Sequence, residues 1–515
     1  MSDVRTAPAW TFRNHWMAQI AGHAVQRPTA TALKHRGVVT TWADLHDRSL
    51  RVAGALQRRG VESGDRVLLL TLNHSEFVEA VVAINSLGAI AVPVNFRLAP
   101  GEVKYIAEDS GATVILVDPM LAPLADAVVG MGVPLATKIC FGEAEGFEAY
   151  ADVVAEGDAI ELGDVPEEAT ALIIYTSGTT GHPKGAMLSH RNLQLQGITC
   201  IRAMDMNDES DIGFLTAPFF HIAGLGSMVS NLVLGVPTVI HPLGAFDPAE
   251  VVDAWEAERA TIVFNVPQQW QAICALPGIK ERDLALRIIS WGAAPATDTV
   301  LKAMADCFPD ALNLAVFGQT ETSPITCVLR GEDSLRKLGS VGRPIPTIQV
   351  RVVDEDMNDV AQGEVGEIIY RGPTVIRGYW NKPAETEAAF EGGWFHSGDL
   401  VRQDEEGFVW VVDRKKDMII TGGENVYCAE VENALAAHPS VLEVAIIGQP
   451  DEKWGEIPVA VVAPRPGADV VLDDLNAFLE DRLARYKFPK KLVVVEALPR
   501  NAGGKVLKTE LRRDL

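Results

Sequence analysis

Apolar runs rich in β-branched residues alternate with amphipathic stretches along most of this chain, the pattern of a layered α/β protein. Residues 66–71 (R-V-L-L-L-T) read as a strand buried on both faces, because their apolar positions are continuous rather than alternating. Residues 76–87 read as a helix, 90–94 as a strand, 101–110 as a helix and 113–117 as a further strand. A second series places strands at 172–175, 213–217, 238–240, 261–265 and 287–291, with helices between them. Such succession favours parallel sheets with right-handed crossovers. From Gly339 the texture changes to short strands at 350–353, 366–370 and 408–412, separated by Gly, Asp and Asn turns. After the charged run Asp413-Arg414-Lys415-Lys416-Asp417 come a helix at 426–437, strands at 441–447 and 458–462, a helix at 472–483 and a strand at 491–495. The predicted fold class is therefore α/β. A large N-terminal domain (1–412) holds two layered α/β subdomains and a small β-rich subdomain. A hinge at 413–417 then leads to a small mobile α+β C-terminal domain at 418–515.

Length agrees, since 515 residues exceed what one hydrophobic core supports. Charge narrows the partners. The chain has 69 acidic and 45 basic residues, net −24, which argues against nucleic acid. Any polyphosphate must then be held by a local site rather than by the general field. The six cysteines are scattered without a CxxC pair, which fits a reduced, cytoplasmic protein. The first sixteen residues have no apolar core of a signal peptide. The most apolar stretch, 81–94, is broken by Asn85, Ser86 and Pro93 and is too short for a transmembrane segment.

The densest candidate chemistry is T-S-G-T-T-G-H-P-K-G at 176–185, which follows an apolar run and precedes a helical pattern starting near Ser189. Thr176, Ser177, Thr179 and Thr180 supply hydroxyls, Gly178, Gly181 and Gly185 let backbone N–H groups turn toward an anion, and Lys184 adds positive charge. The spacing is not that of a Walker loop. It describes a phosphate loop of another kind.

Four more segments fit one family in order: F-G-Q-T-E at 317–321, W-F-H-S-G-D at 394–399, the stretch from Asp413-Arg414 through Gly422-Gly423-Glu424 to Glu430-Val431-Glu432, and P-R-N-A-G-G-K at 499–505. Together with the loop they resemble the signature motifs of the adenylate-forming superfamily: acyl-CoA synthetases, peptide-synthetase adenylation domains and firefly-type luciferases. The overall likeness is greatest to bacterial fatty-acyl-CoA ligases and coumarate-type ligases, and it covers essentially the whole chain.

The resemblance implies an AMP-forming acid–thiol ligase that uses ATP, Mg²⁺ and coenzyme A. On its pattern, Glu321 and the Thr176 hydroxyl hold Mg²⁺, and Thr320 contacts the α-phosphate. Phe317, Gly318, Gln319, Ala293 and Ala294 line the nucleotide, Phe317 standing where many relatives carry Tyr. Asp399 and Arg414 hold the ribose hydroxyls. Lys505 steadies the charge developing on the carboxylate and α-phosphate. Lys416 matches the hinge residue about which the small domain swings, and Gly422 and Gly423 match the walls of the pantetheine tunnel. Cys428 replaces a proline many relatives carry, a change expected to loosen that loop slightly. It has no nucleophilic role.

P-F-F-H-I-A-G at 218–224 resembles the segment whose histidine gates the acyl pocket, which makes His221 a pocket-wall and catalytic candidate. Residues 218–235 contain no acidic group, so an amino-acid substrate is disfavoured and an apolar acid expected. Phe219, Phe220, Trp270 and Trp291 are candidates for its walls, and core packing is as common for such aromatics. A medium- or long-chain fatty acid is the expected substrate. An aryl or alicyclic acid, or a carrier protein as acceptor in place of CoA, are the alternatives. By frequency alone the expected assembly is a homodimer.

Overall fold

The run at Arg66–Leu70 forms the middle of a seven-stranded sheet, ordered Glu148–Ala149, Thr137–Cys140, Val114–Val117, Arg66–Leu70, Ile90–Pro93, Thr170–Thr176, Lys184–Ser189. In the computed structural model, described for residues 15–176, 183–294, 296–422, 424–451, 453–480, 482–500 and 506–513, all its neighbours pair in parallel except the last two. Pleating explains the continuous apolar pattern. Val67 and Leu69 point into one buried cluster with the helices Trp42–Arg58, Ser75–Ser86 and Ile222–Leu234, while Leu68 and Leu70 point into another with Pro100–Ser110 and Ala122–Gly130. Each of the four is at most 1 % exposed, and burying each contributes about 1.5–3 kcal/mol.

The second sheet has nine strands, ordered Arg343–Pro344, Cys327–Leu329, Leu312–Phe317, Ile288–Gly292, Ile262–Asn265, Gly213–Leu215, Thr238–Ile240, Thr31–His35, Val38–Thr41. Its middle is parallel, and antiparallel strands close both edges. The helix His190–Met204 starts where Ser189 accepts the Asn192 N–H at 3.1 Å and Asn192 Oδ1 accepts the Ser189 N–H at 2.8 Å, a reciprocal cap. Gly197 lets that helix lie close to Ile222–Leu234, since a Cβ there would already meet Val233 at 3.3 Å.

A four-stranded antiparallel sheet follows, Gln349–Val353, Gly366–Arg371, Phe395–Gln403 and Val409–Arg414. The chain then turns through 415–418 into a five-stranded sheet built on the long hairpin Val441–Asp451/Gly455–Pro464, with its own core around Val431, Leu435, Ile446 and Val462. A large N-terminal α/β domain and a small C-terminal one result. Ion pairs tie the last helix, Lys508–Arg513, to this smaller unit: Lys508 to Glu432 at 2.7 Å and Arg512 to Asp417 at 2.8 Å.

Several elements depart from the pattern reading, among them Leu312–Phe317 and Thr137–Cys140, strands that it does not include. Lys184–Ser189 is a strand, antiparallel to Thr170–Thr176, where the sequence suggests loop running into helix. The motif at 394–399 lies mostly inside the strand Phe395–Gln403, which the pattern reading also leaves out. Thr31–His35 crosses into the second sheet, a long-range pairing that local periodicity does not encode. Among the described residues no helix is long and apolar enough to cross a membrane.

Candidate active site

Parallel strands leave their C-terminal ends open as a crevice, the usual ligand position in such sheets. Here a cavity of about 1420 Å³ opens beyond the strands Gly213–Leu215, Ile262–Asn265, Ile288–Gly292 and Leu312–Phe317. The first sheet contributes Thr176 and Lys184 to its lining, and the β-rich sheet Glu367 and Ser397. Arg414, Lys416 and Arg500 come from the later part of the chain.

Glu321 stands at the centre of one arm. It sits in the tight turn Thr320–Thr322 just past Leu312–Phe317 and is 8 % exposed. Burial pushes its carboxyl up, against its own backbone amide, the Tyr379 hydroxyl, Arg414 and Lys184, which pull the other way. Tyr379 donates its hydroxyl to Glu321 Oε1 at 3.0 Å, and Lys184 Nζ lies 5.2 Å from the centre of the Tyr379 ring. Thr176 faces Lys184 across the hairpin, its hydroxyl 3.5 Å from the Lys184 carbonyl. The structure thus gathers Thr176, Lys184, Thr320 and Glu321 on one wall and adds Tyr379, which no motif in the sequence marks.

Phe317, Gly318 and Gln319 line the same arm. Gly318 is required by packing, because a Cβ there would lie 2.0 Å from the Pro324 carbonyl oxygen. Gln319 donates its side-chain amide to the Ser397 carbonyl at 3.4 Å, linking the two motifs that follow each other in sequence. Ala293 lines the cavity with a left-handed backbone (φ 64°), while Ala294 follows it outside the lining. Asp399 is not in the cavity wall. It is buried behind Ser397 and Gly398, and Arg414 Nε contacts its Oδ1 at 2.8 Å. Strand register explains this pair, since Asp399 and Arg414 face each other directly. Arg414 also donates to the Ser397 carbonyl at 3.1 Å, and it does reach the cavity.

Lys416 is exposed at the cavity rim. Gly422 lies elsewhere, outside the cavity wall. Its N–H donates to the Trp454 carbonyl at 2.8 Å, and a Cβ there would come within 2.9 Å of the Trp454 ring. Ser177, Gly178, Thr179, Thr180, Gly181, Gly423 and Lys505 lie outside the described residues. Cys428 does not loosen its surroundings. Its backbone N–H, which a proline would lack, donates to the Asp413 carboxylate, and its thiol donates to the Asp417 carbonyl at 3.1 Å. Burial pushes that thiol up, so it is no nucleophile.

The second arm runs along the helix Ile222–Leu234. His221, at its N-terminal cap, lines the cavity, and its Nε2 is buried with no hydrogen-bond partner among the described residues. Burial, with help from Arg97, pushes the imidazole down to about 4, so it is neutral at physiological pH. Cavity walls here are Met204, Met206, Ile262, Phe264 and Ile325. The four aromatic wall candidates are core instead. Phe219 packs on Phe77, Phe220 on Phe96, and Trp270 on Trp255 and Phe308, while Trp291 is 5 % exposed within the same cluster as Trp270. No cue separated wall from core, because both are apolar positions on the same elements.

Comparison with known proteins gives the site its context. Residues 20–380 match the AMP-binding enzyme family and residues 430–505 the AMP-binding enzyme C-terminal domain. A feruloyl-CoA synthase of Amycolatopsis sp is 40 % identical over 94 % of this chain and 96 % of its own length. A long-chain-fatty-acid–CoA ligase of Mycobacterium tuberculosis is 36 % identical over 96 % of this chain and 97 % of its own. Among solved structures, the o-succinylbenzoate coenzyme A synthetase of Bacillus subtilis in complex with ATP and magnesium ion superposes with a TM-score of 0.84, at 30 % identity, over 96 % of this chain and 99 % of that one. Matched from its first helix to its closing segment, the chain belongs to the AMP-binding enzyme family.

Proposed function

We propose that this chain is an AMP-forming CoA ligase whose acid carries an aromatic ring. Acid and ATP first give acyl-AMP and pyrophosphate: a carboxylate oxygen bonds to the α-phosphorus as the pyrophosphate bond breaks. The CoA thiol then attacks the acyl carbonyl, loses its proton, and displaces AMP.

The observation that carries this reading is the two-armed cavity. One arm gathers Thr176, Lys184, Glu321 and Arg414, and the other is an apolar pocket beside a neutral histidine. In-line reaction between two anions needs positive charge at the junction. Lys184 and Arg414 supply it from this chain, and Lys505 is assigned the same role on its motif. Glu321 fits a magnesium site, being a buried hard-oxygen donor with the Thr176 hydroxyl on the same wall. A bound Mg²⁺ there would neutralise phosphate charge. Asp399, held by Arg414, is assigned to the ribose on its motif, and Arg414 is the member of the pair that lines the cavity. Ala293 and Phe317 line the cavity together and offer a wall for a planar base.

For the acid, the feruloyl and succinylbenzoyl groups named for two of the similar proteins share an aromatic ring, which favours an aryl acid over the expected fatty acid. The Mycobacterium relative keeps the long-chain fatty acid as the second reading. The test is ATP–pyrophosphate exchange and CoA-dependent AMP release across aryl, alicyclic and aliphatic acids. Aryl acids should give the highest kcat/KM, with thioester formed in step with AMP. Release of AMP with no thioester for any acid would overturn CoA as acceptor and point to a carrier protein. Lys505→Ala should abolish adenylation while thioester still forms from supplied acyl-AMP, as expected if the small domain swings about Lys416 between two half-reactions.

A further inference from the structure

The acyl arm has apolar walls but a polar end. Ala223, Gly226, Ser227, Ser230 and Asn231 all line the cavity. Their spacing places them on one face of the helix Ile222–Leu234. The first three are small, and the last two form a polar step roughly 14 Å along the helix from its start, at about 1.5 Å per residue.

Asn231 is the unusual member. It is 3 % exposed, yet its side-chain amide is engaged by no other described residue, and it faces the cavity. Its seat depends on a missing side chain, since a Cβ at Gly213 would lie 2.2 Å from Asn231 Nδ2. Ser230 donates its hydroxyl to the Gly226 carbonyl at 2.9 Å, and its oxygen, which also meets the Cys200 thiol, has a lone pair left to accept. Cys200 of the neighbouring helix lines the cavity beside Ser230, its sulfur held 3.5 Å from Gln196 Nε2. A pocket shaped only for hydrocarbon would gain by placing Leu or Val at 231, because an amide against a hydrocarbon tail loses the hydrogen bonds water gives it.

Resting on the ligase reading above, we propose that Asn231, with Ser230 beside it, binds a hydroxyl or carbonyl at the end of the acid remote from its carboxylate. Selection for that group makes Asn231 a specificity-determining residue. A site built to hydrogen-bond a substrate group rejects the analogue lacking it far more strongly than an apolar pocket rejects an added group.

The experiment is ATP–pyrophosphate exchange by the full chain with two matched pairs, para-hydroxycinnamate against cinnamate and omega-hydroxydecanoate against decanoate. The two pairs place the hydroxyl at different distances from the carboxylate. The wild type should favour the hydroxylated member of at least one pair by about tenfold or more in kcat/KM. Asn231→Leu, close in size, should bring that ratio to one or invert it, and Ser230→Ala should move it the same way by less. The ratio is read within one preparation, so a lower folded fraction does not mimic the effect. An unchanged ratio in Asn231→Leu, or wild-type rates equal within both pairs, would overturn this assignment and leave the ligase reading standing. Absence of exchange with every acid, across the pairs and the wider panel, would overturn both.

Discussion

The two arms of the cavity are built differently. The arm proposed for the nucleotide is assembled from turns and strand ends of several elements: the hairpin ends at Thr176 and Lys184, the turn at Thr320–Thr322, and Arg414 at the end of its strand. The acyl arm is made of the inner faces of two packed helices and the sheet beneath them. Groups on turns can meet only if each turn has its own fixed sequence, so that arm leaves local motifs. Helix faces need only the right size every third or fourth residue, so the other arm leaves almost none. Chemistry common to a family can therefore be conspicuous in a sequence while the choice of substrate stays hidden in its helices.

Substitutions should separate the arms by size of effect. Glu321→Gln removes a charge from the nucleotide arm and should lower pyrophosphate exchange by about a hundredfold or more, with every acid alike. Comparable loss confined to one class of acid would break the division. Arg414→Met leaves the Asp399 carboxylate without its arginine and should cost about 2 kcal/mol of stability by denaturant titration, besides weakening ATP binding. Tyr379→Phe deletes one hydrogen bond to Glu321 and should slow exchange by about tenfold, the magnitude expected for a hydrogen bond to a charged group. An unchanged rate would show that Tyr379 only fills space.

The smallest effect concerns His221. Its imidazole is lowered from 6.5 to about 4, so the unfolded chain takes up a proton as pH falls through 6.5 while the folded chain does not. Folding is therefore penalised progressively between those values. His221→Asn should lose less stability than the wild type on going from about pH 7 to about pH 5, by roughly 1–2 kcal/mol. Identical pH dependence would place the ring in contact with water.

The sequence carried the strand series well. The strand at 238–240 is as expected, and most others shift by a residue or two, because continuous β-branched runs with both faces covered have few alternatives. It failed at Thr31–His35 and Lys184–Ser189, whose pairing is set by distant or loop-separated partners. Of the site, Glu321, Thr176 and Arg414 were legible as motif members. Tyr379 was not, since a lone tyrosine after glycine carries no pattern, and its role comes from standing over Lys184 and beside Glu321. Asn231 was equally hidden: only the empty place at Gly213 makes its position meaningful.

Position 428 has a consequence for anyone redesigning this protein by averaging its relatives. Placing at 428 the proline that the family resemblance implies would delete the amide hydrogen that Asp413 accepts. That carboxyl is already pushed up to about 6 by burial, despite Lys508 nearby. With one donor fewer it would rise further toward neutral pH, and the link between the last strand of the β-rich sheet and the first helix of the small domain would become more acid-sensitive. The cysteine matters here for its backbone rather than its sulfur, and a consensus substitution would be a change of electrostatics at the joint between the two domains.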